Sequence, residues 1–116
     1  MTYERHEQTI DASPADVWRF MVDPAALSAW FGADAWLEPR VGGPVRFRFA
    51  DGLERRGVVE MVELHRRLTW RWREIRGAGF GMEIGGSSTV TIELEPNDRA
   101  TLVRITEMPA TRALAS

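Results

Sequence analysis

The chain has no cysteine, no lysine, a single tyrosine and two histidines in 116 residues. Without cysteine there is no disulfide, no thiolate nucleophile and no thiolate metal ligand, a composition that suits a reducing compartment. His6 and His65 stand far apart in sequence and neither sits in a His-x-x-x-His spacing, so an imidazole metal site or acid–base pair has no partners. No metal and no cofactor are expected. Long apolar runs are also missing, which excludes a helical membrane span. The opening MTYERHEQTI lacks the basic-then-apolar architecture of an export signal. Together these absences predict a cytoplasmic protein. At this length one core is affordable and two are not, so residues 1–116 are expected to form a single domain.

Because lysine is missing, all 15 positive charges are arginines, set against 17 acids for a formal net charge of −2. Guanidinium forks suit phosphates and nucleic acids. Here they are dispersed among the acids and form no basic footprint, so nucleic acid is not an expected partner. The codon preference of a GC-rich genome is the simpler account of the arginine usage.

What is present is strongly patterned. Residues 3–10 alternate loosely and predict a first strand. Ser13 then stands as an N-cap with Pro14 at the first helical position and Asp16 near the positive end of the helix dipole. Val17, Phe20 and Met21 give this helix, over about residues 14–22, an apolar stripe. Asp23-Pro24 repeats the device and starts a second short helix over residues 24–30 that closes on Trp30-Phe31-Gly32. From Ala35 onward the period becomes two. PVRFRFA sets Val45, Phe47 and Phe49 against Arg46 and Arg48, and LTWRWRE sets Leu68, Trp70 and Trp72 against Arg71 and Arg73. Val90, Ile92 and Leu94 oppose Thr91 and Glu93, and residues 100–107 make a last strand. Asp51-Gly52 reads as a type I′ hairpin turn. The segment RGAGFGMEIGG, residues 76–86, holds five glycines and reads as a wide hairpin loop bordering a ligand entrance. It matches no phosphate-binding fingerprint.

One sheet face is therefore aromatic and one is arginine-rich, and only the first is meant to be covered. Phe47, Phe49, Trp70, Trp72, Val90 and Ile92 are expected on the concave side, with Trp30, Phe31 and Trp36 approaching from the helices. Arg46, Arg48, Arg71, Arg73 and Glu93 should face solvent. The aromatic face reads either as plain core or as the wall of a pocket for an apolar ligand. Glu74 falls on the same face and is either a polar ligand contact or a solvated strand end. No catalytic constellation is visible: Ser87 and Ser88 have no base beside them in sequence.

In order, SPADVWRFMVDPAALSAWFG, VGGPVRF with the following DG, RGVVEMVELHRRLTWRW and STVTIELEP resemble the START-like or SRPBCC superfamily with its helix-grip fold. Within it they are most similar to the bacterial domains homologous to the activator of heat shock protein 90 ATPase. The resemblance spans about residues 3–107. It implies an α+β domain of two short helices and a six- or seven-stranded antiparallel sheet. Met61 and Leu64 stand where the family pattern often carries Glu and Pro. The long C-terminal helix of the family is expected to be missing or truncated, since nine residues follow Glu107. The resemblance implies a cytoplasmic module binding an apolar or aromatic small molecule. Its alternatives are a co-chaperone-like or regulatory interaction protein and, third, a polyketide cyclase or dehydratase-type enzyme, which would need titratable groups in the cavity. The candidate lining is Trp30, Phe31, Phe47, Phe49, Trp70, Trp72, Glu74, Val90 and Ile92. A concave face without its covering helix is expected to close against a second copy, as a homodimer, the alternative being a truncated or diverged copy only marginally stable alone.

Overall fold

In a computed structural model, which describes residues 4–78 and 81–110 and the side chains of all of these except 77–84, the strand β1 (Glu4–Ile10) leads into two capped helices. Ser13 Oγ accepts from the Asp16 amide at 3.2 Å and starts α1 (Pro14–Val22). Asp23 Oδ2 accepts from the Ala26 amide at 2.9 Å and starts α2 (Pro24–Phe31). Each side chain satisfies an amide that has no partner within its own helix, and each proline occupies a position where a missing N–H costs nothing. Gly32 ends α2 at φ 66°, the left-handed turn that glycine adopts without penalty.

Six strands follow: β2 (Asp34–Leu37), β3 (Pro44–Arg48), β4 (Glu54–Glu63), β5 (Arg67–Ala78), β6 (Gly81–Asn97) and β7 (Ala100–Pro109). With β1 they make one antiparallel sheet in the order β1-β7-β6-β5-β4-β3-β2, curled around the helices. The helix-grip architecture expected from the sequence is the architecture observed. Alternation fixes the faces. Phe47, Trp70, Trp72, Val90 and Ile92 are buried on the concave side and Phe49 is half-buried. Arg46, Arg48, Arg71 and Arg73 are exposed on the convex side. Glu93, expected in solvent, is half-buried there between Arg67 and Arg104.

Several local expectations need correction. Phe20 is 62% exposed, and Trp18 takes its place beside Val17 and Met21, because the sheet lies on the 17–18–21 side of α1. Trp36 is on the convex face, paired with Arg46, since Ala35 and Leu37 are the inward residues of β2. The Asp51-Gly52 turn is not type I′. The Gly52 amide bonds to the Phe49 carbonyl and only Gly52 has positive φ (89°), which makes a three-residue loop ending in a left-handed glycine. The glycine-rich segment is not a wide loop either. β5 and β6 stay paired through Ile75↔Ile84 to Ala78↔Gly81, and residues 79–80 lie outside the described residues. Its glycines act in the ladder: Arg73 faces Ser87 and Ile75 faces Ile84, so Gly85-Gly86 oppose the single residue Glu74 as a bulge. A Cβ on Gly85 would stand 3.2 Å from the Glu74 Cβ. His65 is half-buried at φ 64° with its ring edge-on to Trp18, centroids 6.2 Å apart.

The β2 edge is closed by α2. Ser28 Oγ donates to the Ala35 carbonyl at 3.2 Å and accepts from the Ala35 amide at 2.8 Å, so one hydroxyl satisfies both outward backbone groups of that residue. Thr101, fully buried, ties β7 to the turn before α1 by donating to the Ala12 carbonyl at 2.7 Å.

Candidate functional site

The concave face divides into a closed part and an open part. In the closed part Phe47 packs edge-on to Phe31 (5.1 Å, 87°) and to Trp72 (4.9 Å, 86°), and Trp70 lies 5.5 Å from Trp72. Such edge-to-face packing is the favoured arrangement of aromatic pairs. Leu27, Leu68, Val90 and Ile92 complete this core. Phe47, Trp70, Val90 and Ile92 therefore sit behind the open part and line neither of its two clefts.

The open part consists of two adjoining clefts that share Glu4, Arg55, Trp72 and Glu107. The wider, about 670 Å³, is walled by Trp30 and Phe31 at the end of α2, by Phe49 beyond β3 and by Ile105 on β7, with Arg5 and His6 from β1. The narrower, about 380 Å³, runs past Glu74, Ser87 and Ser88 along the β5–β6 bulge. Both volumes lie in the range of small-molecule sites. Of the residues expected to line a pocket, Trp30, Phe31, Phe49 and Trp72 meet at the wider cleft and Glu74 borders the narrower one.

The floor between the clefts is polar. Glu107 Oε2 accepts three hydrogen bonds, from Ser88 Oγ at 2.6 Å, Trp72 Nε1 at 3.0 Å and Arg55 Nη1 at 3.1 Å. Trp72 Nε1 also reaches Ser88 Oγ at 3.1 Å. Arg55 Nη2 donates to Glu74 Oε2 at 3.2 Å, and the guanidinium carbon sits 4.9 Å above the Trp72 ring. Arg55 on β4 thus bridges carboxylates on β5 and β7 while capping an aromatic wall. Its buried Nε has no acceptor among the described residues, and neither does the buried Trp70 Nε1. Glu74 is accordingly half-buried and ion-paired, with 37% of its side chain accessible.

Arg55, Ser88 and Glu107 have no place in the lining expected from the sequence, although a signal for each exists. Val103 and Ile105 set the phase of β7 and carry Glu107 inward, and Val90 does the same for Ser88 on β6. Arg55 shares the phase of Val59, but the residue between them is Gly57, which has no side chain to mark it.

The convex face is a different electrostatic environment, a lattice of exposed ion pairs worth little individually. The bond from Arg104, then that from Arg5, holds the Glu7 carboxyl below the usual carboxylate range. Arg56, seconded by Arg48, does the same for Glu54. None of these groups borders the wider cleft except Arg5. Among the described residues no three acids or histidines are grouped to hold a metal ion, and no helix is long and apolar enough to cross a membrane.

The architecture has many solved counterparts. A protein from Mesorhizobium loti superposes with a TM-score of 0.77 at 21% identity, over 96% of this chain and 79% of that one. The Aha1 dimer of Colwellia psychrerythraea, solved in solution, matches at 0.71 with 21% identity, over 99% and 81%. An Hsp90 activator from Plasmodium falciparum matches at 0.68 with 16% identity, over 97% and 76%. A search of curated proteins returned no match. Residues 11–115 match the family described as Activator of Hsp90 ATPase homolog 1-like protein, and the chain belongs to that family.

Proposed function

We propose that this protein is a cytoplasmic, single-domain binding module for an apolar or aromatic small molecule, held in the wider cleft between the end of α2 and the sheet. The observation that carries the reading is the composition of that cleft: Trp30, Phe31, Phe49 and Trp72 on its walls and the Arg55–Glu107 pair at its floor. Apolar walls with a few convergent polar groups are the usual make-up of a ligand site. Ser88 Oγ donates to the Glu107 carboxylate, but that oxygen is also held by Trp72 and Arg55, so binding rather than turnover is the activity these residues support.

Native mass spectrometry of the purified protein tests for a co-purified molecule. Titration with the neutral fluorophore N-phenyl-1-naphthylamine tests the location. Saturable one-to-one enhancement is expected, and Trp30→Ala, which removes a half-buried wall rather than a core residue, should weaken it at least about fivefold, equivalent to about 1 kcal/mol of lost apolar contact. Binding unchanged in that variant would move the ligand elsewhere.

A second arrangement is supported by the same rim. Trp30, Phe31, Phe49 and Ile105 are only partly buried, and a structural counterpart is a dimer in solution. In a homodimer formed through the concave face, the second copy would close the cleft. Light scattering after size exclusion distinguishes the two: a 13.2 kDa monomer that binds the fluorophore leaves no need for the partner.

A further inference from the structure

We infer that Glu107 is the hydrogen-bond acceptor for a ligand hydroxyl at the polar floor, so that the site takes a neutral hydroxylated aromatic molecule and rejects carboxylates. This rests on the cleft reading above and adds the ligand's polar group to it.

Charge and valence at the floor decide which polar group the cleft accepts. Besides the His6 imidazole, the wider cleft is lined by two acids, Glu4 and Glu107, and two guanidinium groups, Arg5 and Arg55. Neither cation is unmatched: Arg5 bonds Glu7, and Arg55 is held between Glu107 and Glu74. An incoming carboxylate would have to displace one of these partners while lying beside the remaining acids, with low-dielectric aromatic walls strengthening the repulsion. Arg73 alternates onto the convex face and, of these two clefts, borders only the narrower. An incoming ammonium meets the opposite obstacle, because Arg55 Nη1 already sits 3.1 Å from the Glu107 carboxylate.

A neutral donor meets neither obstacle. Glu107 Oε2 has its three donors, whereas Oε1 is bonded by none of the described residues, and a quarter of the side chain is accessible (25%). Trp72, Ser88 and Arg55 fix the carboxylate from one side, so the second oxygen is pre-oriented and its use costs little ordering. A ligand hydroxyl can donate to that second oxygen without adding charge to the floor.

Three bicyclic probes of one shape separate the terms: naphthalene, 2-naphthol (neutral at pH 7) and 2-naphthoate (anionic). Affinities are read from tryptophan fluorescence with the wild-type chain and with Glu107→Gln. For the wild type, 2-naphthol should bind at least about tenfold tighter than naphthalene and tighter still than 2-naphthoate, the worth of one hydrogen bond to a charged acceptor. In Glu107→Gln the naphthol advantage should shrink to about threefold or less and naphthoate should gain. Circular dichroism checks that the variant is folded, and the wild-type ranking decides the matter if it is not. Naphthalene and naphthol binding equally, or naphthoate binding as tightly as naphthol, would overturn the inference and leave the cleft intact. If none of the three binds, the cleft reading itself fails.

Discussion

Gly57→Ala is expected to be the most destabilising single-methyl change in this protein, by about 3 kcal/mol or more, at the top of the range for overpacking. A Cβ at Gly57 would stand 1.7 Å from the Arg71 carbonyl oxygen and 2.6 Å from the Trp72 Cα. Both obstacles are backbone, so no rotamer change relieves them, and β4 and β5 must move apart at the pair that seats Trp72 over the cleft. For a domain of this size the melting temperature should fall by roughly 12 °C or more. Gly52→Ala is the control. Gly52 needs its positive φ of 89° but has open space around it, so about 1–2 kcal/mol of backbone strain is the whole expected cost. Thermal melts of the two variants should differ clearly, and equal losses would mean that β4 and β5 do not approach as described.

Glu107→Ala is expected to cost about 2–3 kcal/mol, since it takes the shared acceptor from Ser88, Trp72 and Arg55 at once. Trp72 is 4% exposed, so its N–H cannot turn to bulk water and would depend on Ser88 alone. Arg55 would keep Glu74. Glu107→Gln retains an acceptor oxygen and should lose less than half as much. Urea denaturation with near-ultraviolet circular dichroism measures both the stability and the tryptophan environment. A fully stable Glu107→Ala variant with an unchanged aromatic spectrum would show that the network does not hold the cleft floor.

The helices were legible because Ser13-Pro14 and Asp23-Pro24 are strong local signals that packing had no reason to override. The sheet faces were legible wherever large apolar residues set the phase, as in Phe47 and Phe49 or Trp70 and Trp72. The phase was lost where the inward residue is small. Ala35 and Leu37 are inward on β2, yet Trp36 between them is the larger side chain and misleads. On β4, Gly57 leaves Arg55 looking like one of three solvated charges in a row. The polar floor was invisible for a further reason. Arg55, Trp72, Ser88 and Glu107 come from four strands, and only the register brings together side chains up to 52 positions apart in sequence. The glycine-rich stretch misled because glycine marks bulges as readily as loops. The C-terminal expectation falls largely on residues 111–116, outside the described residues.

The claim that a ligand occupies the cleft between α2 and the sheet is tested most directly by the indole N–H signals of the five tryptophans. In a proton–nitrogen correlation spectrum titrated with 2-naphthol, the Trp30 and Trp72 signals should shift progressively to saturation. Those of Trp36, on the convex face, and Trp18, packed against His65, should stay in place. Movement of Trp36 or Trp18 with Trp30 and Trp72 unmoved, or no movement at all, would contradict it.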